Sequence, residues 1–425
     1  MNTRQYLPRL VDASLKKYLQ SFGAVCIEGP KWCGKTCTAE QQSRSQIYLG
    51  DPAGGFQNRR LAEMNPSLAL AGSTPRLLDE WQEVPPLWDA VRFHVDHGQG
   101  PGLFLLTGSA TPNHKGILHS GAGRIGRLRM RPMSLWESQD SSGVVSLESL
   151  CKGELADQMT GEVTLTQLIE LVVRGGWPGS LNRPKESQPL IAAQYIQAVI
   201  SDDATRIDGV RRDQHKLVLV LRSLARNECT TAGLQTIVRD IQEREAESVD
   251  RMTTAAYLDI FSRLFLIDNQ PPFAQSARSS VRIKQAEKRH LCDPSLAAAL
   301  LGLGHDALLN DLETFGFLFE SLCERDLRIY AESFGGQLFH YQDYKNREID
   351  AVVAMPDGSW TAFEIKLGAN QIDAAAHGLL KLKAAMAAEN TASTPKELCV
   401  ICGLSNAAYR RSDGVLVVPI TALKP

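Results

Sequence analysis

The sequence predicts an α/β fold in three successive parts: a parallel-sheet core, a mostly helical middle and a second α/β unit. Three observations carry that expectation. Residues 1–137 alternate short apolar runs (AVCIEGP, RLLDEW, GLFLLTGS) with helical stretches, the pattern of a parallel α/β sheet. From residue 150 to 300 the period turns helical, broken by GGWPGS at 175–180. Beyond residue 305 a long helical run, NDLETFGFLFESLCERDLRIYAES, leads into alternating strands and short turns. The expected domains are 1–150, 151–304 and 305–425, consistent with 425 residues at roughly 100 to 200 per domain.

Composition narrows the function class. Hydrophobic residues at 43% and charged residues at 22% argue against wholesale disorder. A net charge of -2 excludes a globally basic coat for nucleic acid and leaves local basic patches open. The opening MNTRQYLPRL has no apolar core of a secretory signal, and no apolar run approaches the roughly 20 residues of a membrane span. Nine scattered cysteines, an odd number, fit a reducing, cytoplasmic setting better than a disulfide framework. Cys399 and Cys402 form a C-x-x-C inside ELCVICG, where positions three apart point to opposite faces of a strand. A buried strand is therefore expected there in place of a redox or zinc site.

The first chemical motif is GPKWCGKT, Gly29 to Thr36. A buried strand, Val25 to Ile27, runs into it and a helix is expected to begin near Lys35 and Thr36, the context of a phosphate-gripping loop. Gly29 and Gly34 let backbone N–H groups turn inward, and the helix N-terminus adds partial positive charge. Lys35 would contact the β- and γ-phosphates, and the Thr36 hydroxyl would ligate Mg²⁺. The candidate contact stretch is Gly29, Pro30, Lys31, Trp32, Cys33, Gly34, Lys35, Thr36 and Cys37. Trp32 and Cys33 fill variable positions and are expected to face outward.

The second motif is RLLDEWQ, an apolar strand ending in two carboxylates. Asp79 would bind Mg²⁺, and Glu80 would orient or deprotonate the attacking water. A third strand, GLFLLTGSA, ends in Thr107 and Ser109, with Ser109 the first choice to position water between Glu80 and the γ-phosphate. Arg124 and Arg127, in GAGRIGRLRMRP, are candidates for a charge-stabilising finger acting on a neighbouring subunit, which would require a homo-oligomer; a solvated basic loop is the alternative.

With these motifs in place, the chain resembles the prokaryotic AAA-type ATPases that couple a P-loop core to a C-terminal domain of unassigned function with a nuclease-like end. The resemblance rests on YLPRLVDASLKKYL, GPKWCGKT, LLDEWQEVP, LLTGSA, GRIGRLRMRPMSLWE, GGWPGSL, YLDIFSRLFLI and FGFLFESL, in that order, and spans nearly the whole chain. It implies ATP binding with Mg²⁺ and ATP hydrolysis.

In the middle, three helical stretches (HKLVLVLRSLARN, TAGLQTIVRDI, ESVDRMTTAAYLDIFSRL) precede two strand-like ones, LFLIDNQ and VRIKQAEKRHLCD, the order of a winged helix-turn-helix. Arg278, Arg282, Lys284, Lys288 and Arg289 would fall on or near the wing, where they could meet DNA phosphates without reading bases. A solvated loop or a protein-facing surface is the alternative.

The C-terminal run REIDAVVAMPDGSWTAFEIKLG holds Asp350, Glu364 and Lys366 in the D…E-x-K pattern of PD-(D/E)xK nucleases. PDG at 356–358 suits a three-residue hairpin loop. That loop pairs Met355 with Ser359 and sets Asp350 across from Glu364 with Cβ atoms about 5 Å apart. Lys366 falls on the same face, and Ile349, Ala351, Val353, Phe363, Ile365 and Leu367 collect on the other. A two-residue loop would shift the pairing by one and separate the acids. Together the acids could hold a further Mg²⁺ or Mn²⁺ while Lys366 orients water or stabilises developing charge. Glu320, on the preceding helix, matches the helical glutamate that many such nucleases add. Unpaired surface carboxylates in a fold without activity are the bland alternative. His290 and His340 have no ligand spacing and are expected to be structural or exposed.

The complete expectation is an α/β chain with a P-loop AAA-type ATPase core, a helical and winged-helix middle and a C-terminal nuclease-like α/β domain. It would hydrolyse ATP to drive or switch the attached parts on DNA. The alternative is a nucleotide-gated module whose inactive nuclease fold recognises a protein or nucleic acid.

Overall fold

The computed structural model describes residues 6–98, 100–110, 117–207, 209–274, 286–388 and 394–425. Two compact units make up the chain. The first comprises Met1–Pro132, Val199–Arg212 and Asp259–Leu266; the second comprises Met133–Ala198, Asp213–Leu258 and Ile267–Pro425.

The first unit is built on five parallel strands: β1 Ala24–Glu28, β2 Ser45–Tyr48, β3 Arg76–Asp79, β4 Phe104–Gly108 and β5 Ile125–Arg129, in the order β2-β3-β4-β1-β5. The central strands are apolar on both faces, so they are covered on both. Val25, Ile27, Leu77 and Leu105 pack with Leu15 of the helix Val11–Ser21 on one side. Ala24, Cys26, Leu78 and Leu106 pack with Leu87, Trp88 and Val91 of the helix Pro86–His97 on the other. Parallel pairing brings the C-terminal ends of β1, β3 and β4 to one edge, where their polar residues are freed from the core.

The second unit holds a seven-stranded mixed sheet: β6 Gln158–Met159, β7 Gln337–Gln342, β8 Glu348–Ala354, β9 Trp360–Lys366, β10 Glu397–Cys402, β11 Ala407–Arg410 and β12 Leu416–Val418, ordered β6-β11-β12-β10-β9-β8-β7. The hairpin loop is the three-residue one: the Met355 N–H donates to Ser359 O at 2.8 Å, and Gly358 adopts φ 84°. Register follows from it, with Ala354 opposite Trp360 and Ala351 opposite Phe363. The helix Ile372–Ala388 lays Ile372, Ala376 and Leu379 onto Val352, Ala362, Val400 and Val417. Ile349, Ala351, Val353, Phe363 and Ile365, on alternate positions, are buried as well. Cys399 and Cys402 are buried strand residues.

The middle of the chain contains the helices Gln214–Arg226, Leu234–Glu245 and Arg251–Arg263, followed by two isolated antiparallel bridges, Ile267 with Leu291 and Gln270 with Lys288. Of the basic residues expected on a wing, Arg278, Arg282 and Lys284 lie outside the described residues. Lys288 departs from the expectation: it is buried, because carboxylates of the helix Leu312–Ser333 receive its ammonium. Among the described residues, no helix is long and apolar enough to cross a membrane.

Candidate functional site

The site of the first unit lies where β1, β3 and β4 end side by side, with Glu28 opposite Gly108 and Asp79 opposite Thr107. After β1 the chain turns through Gly29–Gly34 into the helix Lys35–Glu40. Gly34 is left-handed at φ 102°, and a Cβ on Gly29 would stand 2.1 Å from the Met130 carbonyl oxygen. A glycine relieves both constraints. Trp32 takes φ 67° with a full side chain and projects outward at 62% exposure. Cys33 does the opposite of what its variable position led the sequence reading to expect. It is fully buried among Val25, Ile27, Leu77 and Leu105, with Sγ 3.8 Å from Met130 O, because the left-handed turn at Trp32 rotates the next side chain beneath the loop. Cys37, one residue into the helix after Thr36, is exposed.

The loop is fastened from two sides. Arg9 donates from Nη1 to Cys33 O at 2.6 Å and from Nη2 to Arg131 O at 2.9 Å. Lys31 Nζ meets Asp203 Oδ1 at 2.5 Å. Lys35 is buried and its ammonium donates to the carbonyls of Gly29 at 2.9 Å and Pro30 at 2.8 Å, drawn back onto the loop it would leave to reach a phosphate.

Asp79 is the hub. Thr36 Oγ1 and Thr107 Oγ1 each donate to Asp79 Oδ1 at 2.7 Å. Burial pushes the Asp79 carboxyl pKa up, and the two hydroxyls pull against that rise. The Thr36–Asp79 spacing is near the ~3 Å between adjacent ligands of an octahedral Mg²⁺ with bonds of about 2.1 Å, so the donor set fits that ion. Next door, Glu80 adopts a left-handed φ of 58°, and its N–H donates to Thr107 Oγ1 at 3.2 Å. Its Oε2 accepts from Ser109 Oγ at 3.1 Å and from the Gln82 amide, which also donates to Ser109 Oγ at 3.3 Å. The two finger candidates are held by acids of the same unit: Arg124 Nε donates to Asp96 at 2.8 Å, and Arg127 Nη1 to Glu28 at 2.8 Å while lying over the Trp88 ring.

In the second unit, one register step beyond Phe363–Ala351 sets Asp350 across from Glu364. Asp350 Oδ2 accepts the Ile365 N–H at 2.8 Å. Lys366 Nζ lies 2.8 Å from Glu364 Oε1 and 3.8 Å from Asp350 Oδ2, a cation standing between the two acids. Burial, then the neighbouring Asp350, pushes the Glu364 pKa up to about 7. Glu320 is not turned to these acids alone. It is ion-paired with Lys288, and burial with the nearby acids pushes its pKa up to about 8. Lys366 and Glu320 line a cavity of about 530 Å³ together with Leu312, Phe317 and Gln371.

Behind Glu320 the network continues. Lys288 also meets Glu324 at 2.7 Å, and His290 sits between Glu228, 3.2 Å from Nδ1, and Glu324, 2.9 Å from Nε2. Burial disfavours the imidazolium, but Glu324 and Glu228 outweigh it and hold the pKa up at about 9. His340 is buried with its Nε2 3.2 Å from the Ala286 carbonyl oxygen, and desolvation pushes its pKa down to about 4.

Residues 21–139 match the family model described as AAA domain. That stretch has the fold of a P-loop AAA-type ATPase core. Residues 165–307 and 315–423 match two models described as domains of unknown function, DUF8612 and DUF4143. Proteins of Mycobacterium tuberculosis and Mycobacterium bovis, named uncharacterized proteins Rv2008c and Mb2031c, are each 24% identical over 357 residues, covering 83% of this chain and 72% of theirs. Among solved structures, a Walker-type ATPase of Pyrococcus abyssi is 12% identical, covering 71% of this chain and 99% of its own at a TM-score of 0.43. The ORC1 protein of Aeropyrum pernix, in complex with DNA, is 14% identical, covering 73% and 97% at a TM-score of 0.27.

Within the AAA domain, the residues that sequence reasoning missed are Gln82 and Arg9. Gln82 lies two positions beyond Glu80, and on a strand-to-helix turn that spacing was its only signal. In the second unit the missed residues are Glu324 and Glu228, which form a cluster with Lys288, expected on a wing, and His290, expected to be structural or exposed. The signal available was Glu320 and Glu324 one helical turn apart on a helix whose apolar positions mark much of it as buried, where charges need partners.

Proposed function

We propose that the chain hydrolyses ATP with Mg²⁺ and uses the cycle to switch its winged-helix-like and nuclease-like parts on DNA. The observation that carries this reading is the pair of hydroxyls, Thr36 and Thr107, converging on Asp79 beside a Glu80 carboxylate oriented by Ser109 and Gln82. Bound Mg²⁺ supplies positive charge against the phosphate oxygens. Thr36 and Asp79 would hold it. Lys35 would exchange the Gly29 and Pro30 carbonyls for phosphate oxygens, and Glu80 would take the proton from the attacking water onto its carboxylate. Ser109 and Gln82 keep that carboxylate in one orientation, which shortens the search for a productive water. In the C-terminal sheet, Asp350 and Glu364 would hold a second Mg²⁺ or Mn²⁺, since an ammonium already bridges them.

The test is ATP turnover of the full chain, alone and with single-stranded, double-stranded and branched nucleic acids, beside Lys35→Ala. Turnover that DNA stimulates and Lys35→Ala abolishes supports the reading. Equal turnover in Lys35→Ala removes the loop from it, and turnover indifferent to every nucleic acid removes DNA.

Lys288 favours a second reading, in which the C-terminal part recognises a partner without cutting it. The Lys288 ammonium already pairs with Glu320 and Glu324. Salt-dependent affinity for DNA with no metal-dependent cleavage would support it.

A further inference from the structure

Glu320 was expected to join Asp350 and Glu364 around a metal, yet it already has a cation. The Lys288 ammonium lies against Glu320, 2.7 Å from Glu324 Oε1 and 3.2 Å from the main-chain carbonyl of Asp350. Three oxygens from two separate elements converge on one nitrogen, and the third belongs to the very residue whose side chain faces Glu364.

That lysine is fixed. Its side chain is 8% exposed and that of Glu324 is 2% exposed, so both charges persist inside only as partners. Its backbone is pinned as well: Gln270 and Lys288 exchange N–H···O bonds of 2.9 Å in both directions, and Gln270 Nε2 donates to Phe339 O at 2.7 Å. Lys366 differs. Its side chain is 30% exposed and borders the open cavity, so it can swing away from Glu364. One ammonium in this cluster can make room for a divalent ion, and the other cannot.

We propose that Lys288 is a resident cation holding the place of a second divalent ion, keeping Glu320 and Glu324 out of metal coordination and limiting the cluster to one ion at Asp350 and Glu364. The inference rests on the metal-binding reading of that acid pair. Two-ion hydrolysis places one ion at the attacking oxygen and one at the leaving oxygen. With its three N–H donors already given to Glu320, Glu324 and the Asp350 carbonyl, the Lys288 ammonium leaves a leaving oxygen without the charge stabilisation of a second metal ion, which matches a site built for holding more than for cutting.

The test counts Mn²⁺ bound per full-length chain, without nucleotide, by electron paramagnetic resonance titration. Lys288→Met is expected to bind one more ion than the wild type, and Lys288→Met with Glu320→Gln to lose it again. Because stranding Glu324 without its ammonium can unfold the chain, Lys288→Met with Glu324→Gln is titrated beside it and is expected to keep the gain through Glu320. Equal counts in wild type and either folded Lys288 variant overturn the proposal. Asp350→Asn separates the two ideas: if it removes no ion from the wild type, the Asp350–Glu364 reading fails, while a Glu320-dependent gain in the Lys288 variants still upholds the resident cation.

Discussion

Ser109 donates its hydroxyl to Glu80 at 3.1 Å, across the gap between the ends of two neighbouring parallel strands. The left-handed backbone at Glu80 turns its carboxylate off the strand line, and Ser109 with Gln82 catches it there. Glu80→Gln keeps the shape but cannot accept a proton. Turnover is expected to fall about 10²- to 10⁴-fold with ATP binding intact. Ser109→Ala frees the carboxylate without removing it, so a smaller fall, about tenfold, is expected. Single-turnover hydrolysis with a fluorescent-nucleotide binding curve checks both; a Glu80→Gln rate near wild type would remove Glu80 from proton transfer.

Gly29→Ala tests the loop's footing. A methyl there would stand 2.1 Å from the Met130 carbonyl oxygen, a backbone atom that cannot rotate away from a Cβ with no torsion of its own. Overpacking of this kind costs about 1–3 kcal/mol. A lower melting temperature and weakened ATP-analogue binding are expected together. Wild-type values for both would mean that the loop sits differently from this structure.

These parts of the AAA domain were legible because they are local. A strand, a glycine-spaced loop and a helix start are contiguous, and the D-E pair marks the end of an apolar run. The C-terminal register was legible for the same reason: PDG fixes the loop length, and pairing follows by counting. What escaped depends on partners far along the chain. Lys288 sits in EKRH, which reads as a solvated basic run, and its burial is decided by Glu320 and Glu324 on a helix more than thirty residues on. Cys33 escaped for a different reason: a single left-handed residue before it reverses its direction, and no periodicity encodes that turn.

Stability should fall as pH rises from about 4.5 to 9, with His290 contributing to the part above 6.5. Folded His290 keeps its proton to about pH 9, against an ordinary value of 6.5. Glu320 and Glu364 keep theirs to about 8 and 7, against 4.5. In each case the folded state binds the proton more tightly than the unfolded chain, so the stabilisation is whole below the unfolded value and is lost through the folded one. His290 alone could contribute up to about 3 kcal/mol, a drop of roughly 5 °C or more in melting temperature. Melting curves across that window check it, with His290→Gln expected to flatten the slope. A wild-type melting temperature level from pH 6.5 to 9 would contradict the assignment.

The last prediction sets two neighbours against each other. Lys366 stands 2.8 Å from Glu364 and 3.8 Å from Asp350, where, on the proposed reading, it would compete with a metal ion and offer positive charge to a phosphate. Glu364→Gln removes a ligand, so Mn²⁺ affinity should fall. Lys366→Met removes the competitor, so Mn²⁺ affinity should rise, by about tenfold for each 1.4 kcal/mol of ion pairing released. At low salt the same Lys366→Met change should weaken DNA binding, because a phosphate-facing cation is gone. Mn²⁺ titration and DNA binding at two salt concentrations measure both effects. Movement of Mn²⁺ affinity in the same direction for the two variants would mean that Lys366 supports the acid pair structurally and does not occupy its cation position.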